Sequence, residues 1–366
     1  MKLDIYFARR FIQSFVMIGI VFMTLMMLID VIEQLRRFEG IDLGFGRLFL
    51  LMLLNTPSAI KDILPLLMIL STIVLFVGLA RSSELVVTRA SGRSGIRALA
   101  APAFVALIIG ILAVTTLNPI AAATSNRYQE LSDTYRTGGP QVLSLSDEGL
   151  WLRQGGAQGQ AVIHANGYGS IDPIELFDVT IISYAPNGGP ERRIHAESAQ
   201  LGDDSWLLRN AKVWTLATGI NPESTAERHE TLALPTTLTQ DRIRDSLGKP
   251  MGISIYDLPG TIRALQQAGF STRKHEVWYQ VELARPLFLM AMVLVGAAFT
   301  MRHARFGGTG VAVLMAVLLG FALYFIRNFA QILGENGQIP VALAAWGPPV
   351  ASLFLTMGLL LHAEDG

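Results

Sequence analysis

Six apolar runs, split three and three by one long polar insert, dictate most of what this chain can fold into. The first spans Phe11 to Ile32 behind Arg9 and Arg10. About 22 apolar residues match a bilayer crossing, whereas the apolar core of a signal peptide has about 7–15. No small-x-small cleavage site follows, so the segment is expected to stay and anchor the chain. The second run, Phe45 to about Ala80, is too long for one straight crossing, and Pro57, Lys61, Asp62 and Pro65 interrupt it. It is expected to divide into an interfacial piece at Phe45–Asn55 and a span at about Thr56–Ala80 kinked at Pro65. The third span falls at about Arg97–Leu117 and stops at Asn118-Pro119. After the insert come spans at about Val277–Met301, Gly310–Ile332 and Val341–Leu361, with Pro286 inside the fourth and Pro348-Pro349 bending the sixth.

Charged residues make up 16% of the chain, against about 25% in soluble domains, so much of the surface faces lipid. Formal net charge is zero, which gives no general attraction to nucleic acid. With no cysteine, disulfides, thiol nucleophiles and cysteine metal sites are excluded.

The insert, Ile120 to about Lys274, has short alternating segments at Gly149–Arg153, Ala161–Ala165, Leu176–Tyr184, Arg192–Leu201, Trp206–Trp214 and Thr231–Leu234. Turn clusters such as Asn187-Gly-Gly-Pro190 and Gly202-Asp-Asp-Ser205 separate them, which predicts one antiparallel β domain. Ile255 to Gly269 reads as an amphipathic helix, with Ile255, Leu258, Ile262 and Leu265 on one side. The chain therefore divides into residues 1–119 (spans one to three), 120–274 (β domain) and 275–366 (spans four to six). Lys2, Arg9, Arg10, Arg81, Arg89, Arg93, Arg97, Arg302 and Arg305 all fall on one side of six spans, which makes that side the cytoplasm. Arg36, Arg37, Arg47 and Lys61 form a weaker cluster around the other side's short loop. Both termini are then cytoplasmic and the β domain lies outside.

Between spans two and three sits Arg81-Ser-Ser-Glu-Leu-Val-Val-Thr-Arg-Ala-Ser-Gly-Arg93, a short polar helix over residues 82–92. Ser82 is placed to cap its start, Glu84 suits the positive end of the helix dipole, Arg89 lies near the other end, and Gly92 is a natural stop. Leu85, Val86 and Ala90 make an apolar stripe beside those charges. The helix is either a connector resting on lipid headgroups or a surface offered to a groove on a soluble partner.

No constellation for catalysis emerges. A phosphate loop is missing, since Gly248-Lys249-Pro250 has neither the glycine spacing nor the hydroxyl. His164, His195, His229, His275, His303 and His362 lack metal-ligand spacing, and Asp203-Asp204 is a turn. The chain is expected to be no enzyme and to carry no cofactor. Near the outer membrane edge, Arg36 and Arg37 close span one, Arg127 follows span three, Glu282 and Arg285 lie early in span four, and Arg327 with Asn328 lies late in span five. Ionisable groups in a span usually face protein or a water-filled cavity. For Arg36, Arg37 and Arg285 the alternative is snorkelling to headgroups. Positive charge just below the outer surface suits an anionic amphiphile.

Taken together, these residues resemble the YjgP/YjgQ permeases of lipopolysaccharide export, the LptF/LptG family, over essentially the whole chain. The stretch Arg81–Gly92 is similar to the family's Ser-Glu-Leu-x-x-x-x-Ala-x-Gly loop. Gln34-Leu-Arg-Arg37, Pro57 with Pro65, Gly149-Leu-Trp151 and Ile253-Ser-Ile-Tyr256 also match, and Gly149-Leu-Trp151 with the short tail after span six resembles the LptG branch more than the LptF branch. The resemblance implies a six-span α-helical membrane protein with an inserted periplasmic β-jellyroll-like domain, in the bacterial inner membrane. It implies an LptF-like permease as heterodimer partner, an LptB-like ATPase dimer beneath, and LptC-like and LptA-like periplasmic proteins to receive the lipid. Glu84, Leu85, Arg89 and Gly92 inherit the role of coupling to the ATPase. Arg36, Arg37, Arg127 and Arg327 are the expected lipopolysaccharide contacts. Relatives can carry a lysine on span one where this chain has Asp30, and the tail His362-Ala-Glu-Asp-Gly366 is acidic. The competing readings are an LptF-type paralogue and an ATPase-coupled mechanotransmission or scaffold protein. A membrane enzyme acting on lipid lacks a nucleophile–base pair or metal set.

Overall fold

The computed structural model describes residues 2–38, 43–90, 92, 94–137, 143–146, 149–156, 159–171, 174–185, 189–202, 205–216, 221–236, 252–267, 271–301 and 309–365. Six helical stretches among them are long and apolar enough to cross a membrane. They are α1 (Lys2–Arg37), α2 (Phe45–Arg81), the third stretch formed by α4 (Gly95–Leu112) and its continuation, then α7 (Arg273–Thr300), α8 (Thr309–Glu335) and α9 (Val341–Asp365). The short α3 (Glu84–Ala90) links the second and third, and α6 (Leu258–Gln267) precedes α7. The predicted amphipathic helix begins at Leu258 rather than Ile255, and residues 268 and 269 lie outside the described residues; Ile255, Leu258 and Leu265 are buried as its pattern requires.

Two helix ends differ from expectation. The second span is one continuous helix of 37 residues rather than an interfacial piece and a span. Pro65 has no N–H for the carbonyl of Lys61 four residues back, which ordinarily weakens or kinks a helix. Here Nη1 of Arg285 donates to that Lys61 carbonyl at 3.1 Å. The third span likewise does not stop at Asn118-Pro119. It passes through a π-helical turn, Ala113–Leu117, into α5 (Asn118–Thr137). Pro119 cannot serve the Thr115 carbonyl, and the Tyr256 hydroxyl donates there instead at 3.0 Å. Asn118 Oδ1 accepts the backbone N–H of Ile255 at 2.9 Å, fixing the same segment against the turn. Distant side chains have replaced the bonds that the prolines remove.

The hub is α7, which packs on α2, α4, α8 and α9. Phe288, Leu289, Met292, Val293, Val295 and Ala297 on it are buried. Small residues let backbones close in: a Cβ on Gly110 of α4 would lie 2.5 Å from Pro286 Cα, and one on Gly296 would lie 2.8 Å from Thr72 Cβ. The flanking α1 and α8 keep broad apolar faces uncovered, with Met17, Ile20, Leu28 and Ile32 on one, and Leu318, Phe325 and Phe329 on the other.

Among its described residues the insert holds seven strands, β1 (Leu143–Ser146), β2 (Gly149–Gly156), β3 (Gly159–Ile171), β4 (Ile174–Tyr184), β5 (Pro190–Leu201), β6 (Ser205–Thr215) and β7 (Glu227–Pro235), paired antiparallel in sequence order. All six predicted segments fall within β2–β7. Inward residues alternate, as a half-buried sheet requires, and then change phase along one row. Leu176 and Val179, Ala196 and Ala199, and Leu208 and Ala211 are buried on either side of exposed Asp178, Glu197 and Asn210. Asp178 and Asn210 take left-handed backbone, φ 51° and 50°, a conformation that short polar side chains tolerate best. Asn166 donates to Asp178 at 2.5 Å and Asn210 to Glu197 at 2.6 Å, locking the row from outside. The extra residue in each strand creases the sheet, as a bulge does in a single strand. Inward residues from both sides of the crease, including Leu176, Ile181, Ile194 and Trp206, join one apolar cluster.

Candidate functional site

The polar helix forms, but its ends are built differently from the expectation. Ser82 terminates α2 rather than starting α3: its backbone N–H donates to the Gly78 carbonyl at 3.0 Å. Ser83, at φ 59°, turns the chain, and its carbonyl accepts the N–H groups of Val86 and Val87. Gly92 stops the segment at φ 78°, a conformation glycine adopts without strain. Of the apolar stripe, Leu85 points inward at 4% exposure and joins a core containing Phe7 and Phe11, while Val86 and Val87 stay 49% and 68% exposed. The side chain of Arg89 lies outside the described residues, as do Arg93, Arg302, Arg305, Asp203-Asp204 and Gly248-Lys249-Pro250.

Glu84 is held by the first span. The Tyr6 hydroxyl donates to its Oε2 at 2.6 Å, the Ser82 hydroxyl to its Oε1 at 2.9 Å, and Arg10 Nη2 lies 3.5 Å from Oε1. These partners, the Tyr6 bond foremost and opposed by burial, hold the carboxyl below the usual range. A depressed carboxyl contributes stability above its unfolded value of about 4.3, and that contribution is lost as pH falls through the folded value. A spin label on Val87→Cys is therefore expected to keep its mobility from pH 8 to 5 and to loosen only in stronger acid. Loosening near neutrality would contradict the clasp.

At the other end of α1, Gln34 is buried and donates to the Tyr128 hydroxyl at 2.8 Å, as does Arg37 Nη1, also at 2.8 Å. Asp30 accepts from Asn55 at 2.9 Å, which ties the first span to the second. Arg36 is exposed, and Arg127, beside Tyr128 on α5, pairs with Glu130 at 2.5 Å. The geometry thus brings Arg37 to the helix that carries Arg127. Arg327 belongs to another group, buried on α8 with its guanidinium 5.3 Å from the Phe288 ring centre.

That group centres on Glu282, fully buried on α7. Arg285 grips both its oxygens, at 2.9 and 2.7 Å, and Lys61 Nζ lies 3.4 Å away and 4.8 Å above the Trp278 ring centre. One expectation is corrected here: Lys61 is not an outer-loop charge but a buried one at 3% exposure. For Arg285, of the two alternatives, the side chain faces protein rather than snorkelling. Burial forces both, because an unpaired charge away from water is too costly. The signal was in the sequence, since Lys61 interrupts an apolar run, but its partner stands more than 200 positions later. Alongside lies a cavity of about 220 Å³ bounded by Asp62, Pro65, Ile69, Gly320, Phe321 and Tyr324.

A family model described as lipopolysaccharide export system permease LptF/LptG matches residues 5–362. The chain belongs to this family. It is similar to the lipopolysaccharide export system permease protein LptG of Haemophilus influenzae, 24% identical over 369 residues that cover 95% of this chain and 96% of that one. The protein of the same name from Escherichia coli K12 is 21% identical over 385 residues, covering 98% of each.

Membership of the LptF/LptG permeases makes the chain a transporter component of lipopolysaccharide export and a multi-pass inner-membrane protein. Among the described residues no three His, Asp or Glu side chains come together to hold a metal ion. What the LptF/LptG chain offers instead is a clasped polar helix at one end of the first span, arginines at the other, and a sheet with a continuous apolar interior.

Proposed function

We propose that this chain is the LptG-type half of an LptF–LptG-like pair that lifts lipopolysaccharide from the outer leaflet of the inner membrane and passes it to LptC-like and LptA-like proteins. Residues 120–274 form the periplasmic domain and both termini are cytoplasmic, in keeping with the arginines around α3. An LptB-like ATPase dimer supplies the hydrolysis and docks on α3, with Glu84, Leu85, Arg89 and Gly92 as the coupling positions. Arg36, Arg37, Arg127 and Arg327 meet the anionic headgroup, and acyl chains move along the uncovered faces of α1 and α8 into the β domain. The continuous apolar cluster across the creased sheet carries this reading most strongly. Each CH₂ moved into water costs about 0.8 kcal/mol, so acyl chains need such a lined route.

Photo-crosslinkers at Arg37, Arg327 and Leu232 test it. Leu232 packs against the edge of the apolar cluster. Lipopolysaccharide adducts are expected at all three, with the Leu232 adduct appearing only when ATP is hydrolysed. Protein adducts alone would favour an ATPase-driven scaffold that moves a periplasmic partner.

A further inference from the structure

The first span is the least enclosed of the six. Only 6% of its most apolar stretch is buried, against 72% for the fourth. Side chains such as Val16, Ile20, Val21 and Leu25 along its middle are exposed. Its long-range polar ties lie near its two ends: Asp30, Gln34 and Arg37 at one, Tyr6 and Arg10 at the other. The Tyr6 and Arg10 end is bound to α3.

We infer that Tyr6 and Arg10 are positioning residues that bolt α3 to the first span through Glu84, so that a displacement of α3 is delivered directly to that span. The inference rests on the proposed coupling of α3 to an ATPase. A hydroxyl donating to a carboxylate at 2.6 Å is a charge-assisted bond, among the stronger non-covalent links. Arg10 reinforces it twice, pairing with Glu84 and donating from Nε to the Tyr6 hydroxyl at 3.0 Å. Leu85 belongs to the same extended apolar core as Phe7 and Phe11, but the backbone of α3 packs on α2 and α4, so the Glu84 contacts are what tie α3 to the start of α1. The covalent links of α3 lead to spans two and three, both more enclosed than the first. The Glu84 bolt adds the span with the least packing to resist movement. The Glu84 side chain stays 32% exposed, so it holds the first span while remaining, with exposed Val86 and Val87, open to the docking partner.

Because the chain has no cysteine, labels can be placed at will. In the complex with its ATPase, spin labels on Ala90→Cys, at the exposed end of α3, and on Ile12→Cys are expected to keep one separation with and without ATP. In Tyr6→Phe that separation should change with ATP. Tyr6→Phe should still co-purify with the ATPase and hydrolyse ATP, while lipopolysaccharide delivered per ATP falls roughly tenfold, the scale of losing one hydrogen bond to a charged group. Glu84→Gln, which still accepts from Tyr6, should fall less. The bolt is refuted if the wild-type separation changes with ATP, if Tyr6→Phe with Arg10→Gln delivers normally, or if Tyr6→Phe releases the ATPase. A wild-type complex that delivers no lipopolysaccharide sinks the transport reading alone, because the label separation judges the bolt without it.

Discussion

Glu282→Ala should destabilise the folded chain by about 3–5 kcal/mol, because it strands two cations in the bundle interior. Glu282 is the shared anion of Arg285 and Lys61, both buried, and its two oxygens take the ion pairs of both. Thermal unfolding in mild detergent, or the yield of monodisperse protein, reads the loss. Removing these three charges together should hurt far less, since well-packed apolar replacements of a buried ion group are often neutral. There is a complication that makes the test sharper. Arg285 also serves the Lys61 carbonyl left open by Pro65. The combination Lys61→Met, Glu282→Leu, Arg285→Met should therefore stay weakened until Pro65→Ala restores the helix's own N–H. If Glu282→Ala unfolds like wild type, the ionic centre does not hold the helices together. If Pro65→Ala brings no recovery, Arg285 is not what keeps α2 continuous.

The same residues mark the boundary of what the sequence revealed. Apolar run length is a local property, and the six crossings were legible from it. Alternation is also local, and it located β2 to β7. Whether a proline ends a helix is not local. Pro65 read as a kink and Pro119 as a stop, yet Arg285 and Tyr256 supply the missing donors from elements far along the chain. The crease in the sheet was hidden because its mark, a phase change at Asp178, Glu197 and Asn210, looks like a lapse in alternation within any one strand. Only strand register shows the three in one row. Glu84 was legible as a charge beside an apolar stripe, but Tyr6 lies 78 residues earlier and nothing nearby predicts it. Candidate residues on one helix could be found; the contacts between helices that give them work could not.

Gly110→Leu should prevent the bundle from assembling, and even Gly110→Ala should cost about 2–3 kcal/mol, the upper range for overpacking. The new Cβ would sit 2.5 Å from Pro286 Cα and 2.9 Å from Pro286 Cβ, with the Pro286 carbonyl carbon at 3.4 Å. Those atoms are backbone and ring on the most buried helix, so no rotamer change relieves the clash, and α4 must separate from α7. Gly320→Ala makes the contrast. Its nearest atom is Cδ1 of Ile69, the far end of a flexible side chain, and both residues border the 220 Å³ cavity into which Ile69 can turn. Its cost should stay below about 1 kcal/mol. Unfolding midpoints of the two alanine variants measure the order directly, and equal losses would refute it. The order bears on movement too. Backbone-to-backbone contact fixes the third span to the fourth, whereas the fifth meets the second across a cavity and a mobile side-chain tip. If lipid passes between helices as proposed, some must stay and some must shift: the packing makes the third and fourth spans the fixed wall and leaves the fifth, like the little-enclosed first, able to give.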